Sequence, residues 1–286
     1  MAGLEGAPPR RTLAGSRLQL PRGTVQGYGR SAMRAVIIGA GRGSRLEHRT
    51  DHVPKTLVEV LGRPMLDWIL EALTVAGFTR DSIVFVSGYA EEVVRDRYPD
   101  LQFVRNDEWA DNNILASLMC ARDYFSEGFL STYADIVYEP AVVRRLVEAP
   151  HDFALGCDTR WLSRYTKRSR HPSSDAEKLR LEGDRVIEVG RRIPDEAAAG
   201  EFIGVMKVTA QGAQQLSEAY TQAHKQFGEG AFREGRSLRK AYLIDLLQSM
   251  LLEGTVMHHA DTDGGYMEID TLEDLALAQE WYAHWP

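Results

Sequence analysis

The chain has 286 residues, of which 44% are hydrophobic, and this is enough for one large α/β domain or two small ones. Its formal net charge of −7 excludes a generally basic surface for nucleic acid, so any polyphosphate ligand needs a local site. Two cysteines, Cys120 and Cys157, provide neither a disulfide framework nor a metal cluster, and they favour a reducing, cytoplasmic location.

The first 32 residues differ from the rest of the chain, because they are rich in Gly, Pro and Arg and have no long apolar core. We predict a disordered extension at 1–32, or upstream sequence ahead of a second start at Met33, followed by one domain at 33–286. An Arg-rich, acid-poor transit peptide is the alternative. Nowhere does the sequence approach the ~18–20 apolar residues of a membrane span, so we expect no transmembrane helix.

The first half of the domain alternates between strand and helix patterns. Strands are predicted at 34–38, 82–86, 101–105 and 129–137, and helices at 59–76, 114–125 and 140–147. Gly77 ends the first helix, and Asn112 or Asn113 is placed to cap the second. This alternation predicts an α/β fold with a mostly parallel sheet and helices on both of its faces.

The pattern changes in the second half. Strands are predicted at 153–159, 202–209 and 256–260, with a hairpin at 178–190 that turns at Glu182-Gly183-Asp184. Helices are predicted at about 210–225, 237–253 and 271–283. A nucleotide-binding half would therefore precede a half that contains a small antiparallel insertion.

A glycine-rich turn follows the first strand, with the sequence Gly39-Ala40-Gly41-Arg42-Gly43-Ser44-Arg45. Its glycines let the backbone approach a phosphate closely and turn N–H groups inward. A dinucleotide fingerprint, G-x-G-x-x-G, is disfavoured because the third glycine comes one position early and Ser44 stands in its place. A P-loop is disfavoured because no Gly-Lys pair precedes Ser44. The turn alone therefore indicates a phosphate site without assigning its class.

Two motifs downstream of the turn distinguish between these classes. They are Pro54-Lys55-Thr56-Leu57 and Gly62-Arg63-Pro64-Met65-Leu66. The combined pattern G-x-G-x-R, P-K-x-L, G-[RK]-P-[ML] resembles the nucleotidyltransferase family that includes sugar-1-phosphate nucleotidyltransferases and phosphocholine cytidylyltransferases. The resemblance implies that Arg45 and Lys55 are catalytic and neutralise phosphates. It also implies that the turn wraps the nucleotide, with contacts from Gly39, Ala40, Gly41, Arg42 and Gly43, although Arg42 stands where the family often has a small or polar residue.

A carboxylate at the end of the fourth predicted strand matches a metal ligand of the family. Asp135 lies in the run Tyr133-Ala134-Asp135-Ile136, at the strand end where open α/β sheets bind ligands. In the family this position supplies a ligand to Mg²⁺, an ion that prefers carboxylate and phosphate oxygens. The resemblance therefore implies a catalytic, Mg²⁺-binding role for Asp135.

The C-terminal segment at 264–275 resembles the closing pattern of the family, W-x-[DE]-[IV]-D-T-x-E-D-L, with Tyr266 at the aromatic position. Glu268 and Asp270 alternate along an extended segment, so their side chains point the same way, and one or both would complete the Mg²⁺ site. Thr271 and Asp274 form a near capping box, which assigns a structural role to Asp274 and to its neighbour Glu273.

Two segments resemble the base pocket of the family. Small Ser87 and Gly88 follow the second strand and would leave room for a base. The run from Asn106 to Leu118 resembles the phosphocholine and phosphonate cytidylyltransferase branch, with Asn112, Asn113 and Ser117 as nucleotide contacts. An Asn amide both donates and accepts, which suits a cytosine edge, although either asparagine could instead be only a helix cap. CTP is therefore the expected nucleotide.

The acceptor is expected near a locally basic segment at 157–192, because a basic wall suits an anionic acceptor. Lys178 begins the predicted hairpin, and Glu201-Phe202-Ile203-Gly204 resembles a family element near the acceptor, so Lys178 and Glu201 are predicted acceptor contacts. His171 has no predicted partner. No Ser-His-Asp or Cys-His arrangement for a nucleophile emerges from the sequence.

The resemblance implies a three-layer nucleotidyltransferase (Rossmann-like) fold around a central, mostly parallel mixed sheet. An oxygen of phosphocholine, an alkylphosphonate or a related acceptor would attack the α-phosphorus of CTP and release pyrophosphate. A sugar-1-phosphate uridylyl- or guanylyltransferase is the alternative within the class, and a non-catalytic nucleotide-binding sensor is the alternative outside it. The oligomeric state is open between a monomer and a homodimer.

Overall fold

The structure is a computed structural model that describes residues 33–234 and 236–283, so the extension predicted at 1–32 lies outside the described residues. The strands are β1 (Arg34–Ile38), β2 (Glu59–Val60), β3 (Arg63–Pro64), β4 (Ile83–Ser87), β5 (Gln102–Arg105), β6 (Phe129–Tyr133), β7 (Ile136–Tyr138), β8 (Phe153–Asp158), β9 (Lys178–Glu182), β10 (Arg185–Gly190), β11 (Gly200–Val208), β12 (Ala231–Arg233), β13 (Arg236–Ser237), β14 (Met257–Asp261) and β15 (Tyr266–Glu268). The helices are α1 (Met65–Val75), α2 (Glu91–Arg97), α3 (Ile114–Cys120), α4 (Pro140–Glu148), α5 (Trp161–Tyr165), α6 (Ala210–Phe227), α7 (Leu243–Leu252) and α8 (Leu272–Ala283).

A nine-stranded sheet runs through the centre of the domain in the order β5-β4-β1-β6-β11-β8-β14-β10-β9. The first four strands pair in parallel, and β8 is parallel to β14. Strand β11 lies antiparallel between β6 and β8, and the antiparallel β9–β10 hairpin extends the sheet beyond β14. The sheet is therefore mixed with mostly parallel strand directions and a small antiparallel insertion, as predicted.

Helices cover both faces of the sheet, because alternate side chains of each strand point to opposite faces. On one face, Val36 and Ile38 of β1 belong to a core that includes Leu118 of α3, Leu216 of α6 and Leu247 of α7. On the other face, the alternate residues of β1 pack in a core with residues of α1 and α4. These layers confirm the predicted three-layer α/β architecture.

Two predicted elements are split in the structure. The helix predicted at 59–76 begins only at Met65, because β2 and β3 form a hairpin in which Leu61 and Gly62 have φ angles of 52° and 73°. A right-handed helix cannot continue through such left-handed residues. The strand predicted at 129–137 breaks at Ala134-Asp135, so that β6 stays in the main sheet while β7 pairs with β15.

Other boundaries differ from the predicted ones by part of an element. The helix predicted at 237–253 begins at Leu243, where the Asp245 carboxylate accepts a hydrogen bond from the Tyr242 N–H at 2.7 Å. Helix α3 ends at Cys120, with a 3₁₀ turn at Arg122–Tyr124 in place of its predicted last turn. The helices α2 and α5 have no counterpart among the predicted elements. In the described part of the chain, no helix is long and apolar enough to cross a membrane.

Candidate active site

The candidate site lies where β1 and β6 end. Ile38 pairs with Tyr133 in parallel register, so the glycine-rich turn and the segment that carries Asp135 leave the sheet side by side. Ligands of open α/β sheets bind at this end of the strands. The Ile269 N–H donates to the Asp135 carbonyl at 2.9 Å, and Glu268 pairs with Ile136 across β15 and β7. The C-terminal segment is therefore joined to the same edge of the sheet.

Close packing requires two glycines of the turn. A Cβ at Gly39 would lie 2.4 Å from the Phe85 ring, and a Cβ at Gly43 would lie 2.6 Å from the Cβ of Lys55. Gly43 also has a φ of 75°, which residues with a side chain rarely adopt. Apart from Gly41 and its two chain neighbours, no described residue has an atom within 4 Å of a Cβ built at Gly41, so the backbone there is open to a ligand.

Lys55 and Arg45 hold two carboxylates at the mouth of the site. The Lys55 ammonium donates to Asp135 Oδ2 at 2.9 Å and to Asp270 Oδ1, and the Arg45 guanidinium contacts Asp270 Oδ2. Burial acts to raise the pKa of Asp270, but the charges of Lys55 and Arg45 outweigh it and lower that pKa to about 2. Asp270 is therefore ionised at neutral pH and fixes both cations.

Glu268 completes a cluster of three carboxylates with Asp135 and Asp270. Burial, followed by repulsion from Asp270 and Asp135, raises the pKa of Glu268 well above its usual range. Asp135 Oδ1 is buried and, among the described residues, accepts no hydrogen bond. The arrangement concentrates negative charge that the protein's own cations neutralise only in part.

His171 lies against this cluster, although no partner was predicted for it. Its Nε2 is 3.5 Å from Glu268 Oε2, and its Nδ1 is 3.2 Å from Asp274 Oδ2. His171, Glu268 and Asp270 offer ligand atoms that all lie within 4.8 Å of one another. Sequence reasoning missed His171 because about a hundred residues separate it from the carboxylates, and no local motif marks it.

The start of α8 fixes the position of Asp270. Asp274 Oδ2 accepts hydrogen bonds from the N–H groups of Asp270 at 3.1 Å and Thr271 at 2.8 Å, while the Asp274 N–H donates to the Thr271 hydroxyl at 3.2 Å. Arg168 Nε also lies 2.9 Å from Asp274 Oδ1. The predicted capping box and the structural role of Asp274 are confirmed.

Two cavities meet at the carboxylates. The glycine-loop cavity, of about 330 Å³, lies between the glycine-rich turn and the segment at 109–117. The β11 cavity, of about 190 Å³, is lined by residues of β11 and by the side chains around Glu177 and Glu268. Arg45, Asp135 and Asp270 line both cavities. A ligand in one cavity would therefore meet a ligand in the other at these charged groups.

A family model described as the MobA-like NTP transferase domain matches residues 35–180, which is just over half of the chain. The chain belongs to this family. Its resemblance to nucleotidyltransferases, predicted from the glycine-rich turn and the motifs that follow it, is confirmed.

Two curated proteins and one solved structure are among those similar to this chain. The chain is 28% identical over 259 residues to the CTP:phosphoglutamine cytidylyltransferase of Campylobacter jejuni, covering 87% of this chain and 100% of that protein. It is 35% identical over 107 residues to the 2-aminoethylphosphonate cytidylyltransferase of Lancefieldella rimae, covering 36% of this chain and 43% of that protein. The structure of the CTP:phosphocholine cytidylyltransferase of Streptococcus pneumoniae matches with a TM-score of 0.63 at 20% identity, covering 87% of this chain and 99% of that one.

Most of the predicted nucleotide contacts of this transferase line the glycine-loop cavity; they are Gly39, Ala40, Gly41, Gly43, Asn112, Asn113 and Ser117. Three others lie outside its lining. Arg42 pairs with Asp51 at 2.9 Å, and the Ser87 hydroxyl donates to Glu91 at 2.8 Å. Gly88 packs against two residues that line the cavity, because a Cβ there would lie 2.6 Å from both the Ala40 carbonyl oxygen and the Trp109 Cβ.

The two asparagines differ in their contacts. Asn113 caps α3, since its Oδ1 accepts from the Ile114 N–H at 2.8 Å, which confirms the cap predicted for one of the pair. Asn112 exchanges two hydrogen bonds of 2.8 Å with the Asn106 amide. Trp109 lines the same cavity, although it was not predicted as a contact. Its place in the predicted cytidylyltransferase-like run is the signal that could have identified it.

The two predicted acceptor contacts, Glu201 and Lys178, differ in whether they line the β11 cavity. Glu201 lines the β11 cavity, whereas Lys178 is buried beside it, with its Nζ 2.7 Å from Asp195 Oδ1 and 3.2 Å from the Arg191 carbonyl oxygen. Sequence reasoning missed several residues that line this cavity, among them Tyr133, Glu177, Arg191, Tyr242 and Tyr266. Arg191 lay within the basic segment that was predicted to face the acceptor, but its position relative to Lys178 depends on how β9 and β10 pair.

Proposed function

We propose that the protein transfers CMP from CTP to a small phosphorylated acceptor, such as phosphocholine or an alkylphosphonate, and releases pyrophosphate. The observation that carries the proposal is the meeting of the glycine-loop cavity and the β11 cavity at Arg45, Asp135 and Asp270. With the nucleotide in the first cavity and the acceptor in the second, the reacting groups would lie at this shared boundary.

The proposed reaction needs positioning and charge neutralisation rather than a general base. An acceptor phosphate or phosphonate oxygen is already anionic at neutral pH, and it attacks the α-phosphorus in line. The new P–O bond forms as the bond to the β-phosphate oxygen breaks, and pyrophosphate leaves. Lys55 and Arg45 supply positive charge, and the open backbone at Gly41 allows a phosphate to approach closely.

The residues at the boundary fit a Mg²⁺ ion. Asp135, Glu268 and Asp270 supply the hard oxygen ligands that Mg²⁺ prefers. Two observations support this proposal: Asp135 Oδ1 is buried without a hydrogen-bond partner among the described residues, and the pKa of Glu268 is raised by burial and by its two acidic neighbours. When bound, Mg²⁺ would neutralise negative charge on nucleotide and acceptor oxygens. Asp270 would in addition hold Lys55 and Arg45 in place.

The preference for cytosine is supported by the relatives, since the proteins compared above are cytidylyltransferases by name. Asn112 and Ser117 line the glycine-loop cavity and carry the polar groups proposed to read the base. Cytosine and uracil present a donor and an acceptor at swapped positions, so a site that pairs with one edge leaves buried groups unpaired with the other. CTP should therefore exceed UTP by at least about tenfold in kcat/KM.

The test is a pyrophosphate-release assay with CTP, UTP, GTP and ATP, each combined with phosphocholine, 2-aminoethylphosphonate and a hexose 1-phosphate. Asp135→Asn is the matched variant; it should lower kcat by about 100-fold or more at an unchanged melting temperature, and EDTA should abolish activity. A preference for UTP or GTP with the hexose 1-phosphate would reassign the protein to the sugar branch. Binding of CTP without turnover of any NTP would support a nucleotide sensor instead.

A further inference from the structure

The β11 cavity is lined by two side chains of opposite charge, each with one buried polar atom that has no hydrogen-bond partner among the described residues. One belongs to Glu201 of β11, and the other belongs to Arg191, which directly follows β10. Neither residue belongs to the ion pairs that join Lys55 and Arg45 to Asp135 and Asp270 at the cavity boundary. Their chemistry therefore bears on the part of the acceptor that lies away from the reacting phosphate.

Glu201 is a buried carboxylate whose two oxygens differ in their contacts. It is 2% exposed, and its Oε1 accepts a hydrogen bond from the Tyr165 hydroxyl. Its Oε2 is buried and, within the described part of the chain, accepts no hydrogen bond. Burial raises the pKa of Glu201 to about 7 despite this hydrogen bond and the nearby charge of Arg168. A buried carboxylate of this kind is costly unless a ligand cation pairs with it.

Arg191 presents the complementary group. Its guanidinium stacks on Tyr242 with Cζ 4.0 Å from the ring centroid, and one terminal nitrogen lies 3.5 Å from Glu177 Oε1. Its Nε is buried and, among the residues that the structure describes, has no acceptor. Glu177 also accepts a hydrogen bond from the Tyr133 hydroxyl at 3.1 Å, so its charge is shared between two partners. Stacking holds the guanidinium plane in place and leaves a donor for a further anion.

Strand pairing places the two groups on neighbouring parts of the cavity wall. Lys178 of β9 pairs with Gly190 on one side and with Glu201 on the other. The residues on either side of Lys178 are thus two strand spacings apart, about 10 Å between backbones. Side chains as long as those of Arg191 and Glu201 can approach one small ligand across that distance.

We propose that the acceptor carries both an ammonium group and a carboxylate in addition to its phosphate, as a phosphorylated amino acid does, with the ammonium on Glu201 and the carboxylate on Arg191. This inference rests on the proposed function, because it names the substrate class of the same site. An acceptor with an ammonium group alone leaves the Arg191 donor unpaired, and an acceptor with a carboxylate alone leaves Glu201 unpaired. Only an acceptor with both groups satisfies both side chains.

The experiment compares O-phosphoserine with two analogues that each lack one group. Phosphoethanolamine lacks the carboxylate, and 3-phosphoglycerate has a hydroxyl in place of the amino group. O-phosphohomoserine and 3-aminopropyl phosphate repeat the carboxylate comparison with one more methylene. Calorimetry with the full-length protein, Mg²⁺ and a non-hydrolysable CTP analogue measures binding, and pyrophosphate release with CTP measures turnover. In the phosphoserine set, the phosphohomoserine set or both, the phosphorylated amino acid should bind tenfold tighter or more, on the order of 1.4 kcal/mol, than the analogues that lack one group.

Three variants assign the preference to residues. In Arg191→Gln, O-phosphoserine should bind no more than about threefold tighter than phosphoethanolamine. The affinity for phosphoethanolamine itself should be the same as in the unmodified protein. Glu201→Gln should selectively reduce the advantage of O-phosphoserine over 3-phosphoglycerate. Arg192→Gln is the matched control, because it removes the same charge from the next residue, whose side chain is 75% exposed and lies outside the lining of the β11 cavity, and it should retain both preferences. If Arg191→Gln does not fold, Glu201→Gln and the analogue series decide the outcome.

Equal binding of each phosphorylated amino acid and its decarboxylated analogue would overturn the inference, and so would tighter binding of phosphocholine than of either phosphorylated amino acid. A retained preference in a folded Arg191→Gln variant would do the same. A complete lack of pyrophosphate release with every acceptor would overturn the proposed function instead. The binding preferences would still decide the inference in that case, so the two failures are distinguishable.

Discussion

At the scale of single residues, Lys55 connects the glycine-rich turn to the carboxylates. Its side chain packs against Gly43, where a Cβ would lie 2.6 Å from the Lys55 Cβ, and its ammonium reaches Asp135 and Asp270. Burial acts to lower the pKa of Lys55, but Asp135 and Asp270 raise it above its usual value, so the ammonium stays charged. Arg42, by contrast, pairs with Asp51 outside the cavity lining.

The first prediction compares these two cations. Lys55→Ala should lower kcat/KM by about 100-fold, because it removes the positive charge proposed to face the phosphates. Arg42→Ala should change kcat/KM by about threefold or less, because its pair with Asp51 is exposed. Steady-state kinetics on both variants, with melting temperatures to verify folding, checks the order. A larger loss in Arg42→Ala would show that the phosphate-binding residues are misassigned.

The second prediction concerns pH and stability at Glu201. Burial raises the pKa of this carboxyl from 4.5 to about 7, so the folded protein without ligand loses stability as pH rises from about 4.5 through 7. Glu201→Gln removes this loss and can still accept the Tyr165 hydrogen bond. Its melting temperature should exceed that of the unmodified protein by at least about 3 °C at pH 8, and the difference should shrink toward pH 5. Scanning fluorimetry at several pH values measures it, and a gain independent of pH would contradict the assignment.

At the scale of elements, the first turn of α8 and the break between β6 and β7 together position the carboxylates. The break turns Asp135 out of the sheet, and the pairing of β7 with β15 brings Glu268 beside it. The capping box formed by Thr271 and Asp274 then fixes the backbone of Asp270. The metal-binding proposal depends on these local turns more than on the helices of the outer layers.

The third prediction tests the cap. Asp274 is fully buried and pairs with Arg168 and His171, so Asp274→Ala should lower the free energy of unfolding by about 3 kcal/mol and also lower kcat through displacement of Asp270. Glu273→Ala is the matched control, since the neighbouring Glu273 accepts hydrogen bonds, within the described part of the chain, only from Ser169 and Arg170 at the surface. Chemical denaturation and kinetics measure both variants, and equal effects at the two positions would refute a special role for the cap.

At the scale of the whole molecule, the sheet joins two chemically different regions. The parallel strands β1 and β6 carry the glycine-loop cavity at their carboxyl ends. The antiparallel strand β11 lines the β11 cavity, together with Glu177 and Arg191, which flank the β9–β10 hairpin. We propose that residues 33–286 form one domain in which changes to the second region alter acceptor choice while leaving nucleotide binding in place.

The fourth prediction concerns the N-terminal extension. Deletion of residues 1–32 should leave kcat/KM unchanged and shift the melting temperature by no more than about 2 °C, because the composition of that segment provides little apolar surface to bury. Kinetics and scanning calorimetry on the truncated and full-length proteins provide the comparison. A large loss of stability would mean that the segment packs on the domain or on a second subunit.

The sequence by itself determined the strand–helix alternation, the glycine-rich turn, a cap of α3 by one residue of the Asn112-Asn113 pair, and the capping box of α8. Each of these depends on residues within about one turn or one strand of each other, so local geometry is enough to specify it. The short motifs around Lys55, Asp135 and Asp270 also identified the family, because they occur together and in order. The β2–β3 hairpin and the break at Asp135 were missed, since an apolar period alone does not show where a backbone leaves its regular conformation.

Only the tertiary structure decided which distant side chains share a cavity. His171 meets Glu268, and Arg191 rather than Lys178 lines the β11 cavity, because β9, β10 and β11 pair in one particular register. A shift of one residue in that register would exchange the side chains that face the cavity, and no sequence period specifies it at the end of a strand. The charge of each group follows from the same packing, since burial and neighbours separated by long stretches of chain set the pKa values of Glu201, Glu268 and Asp270.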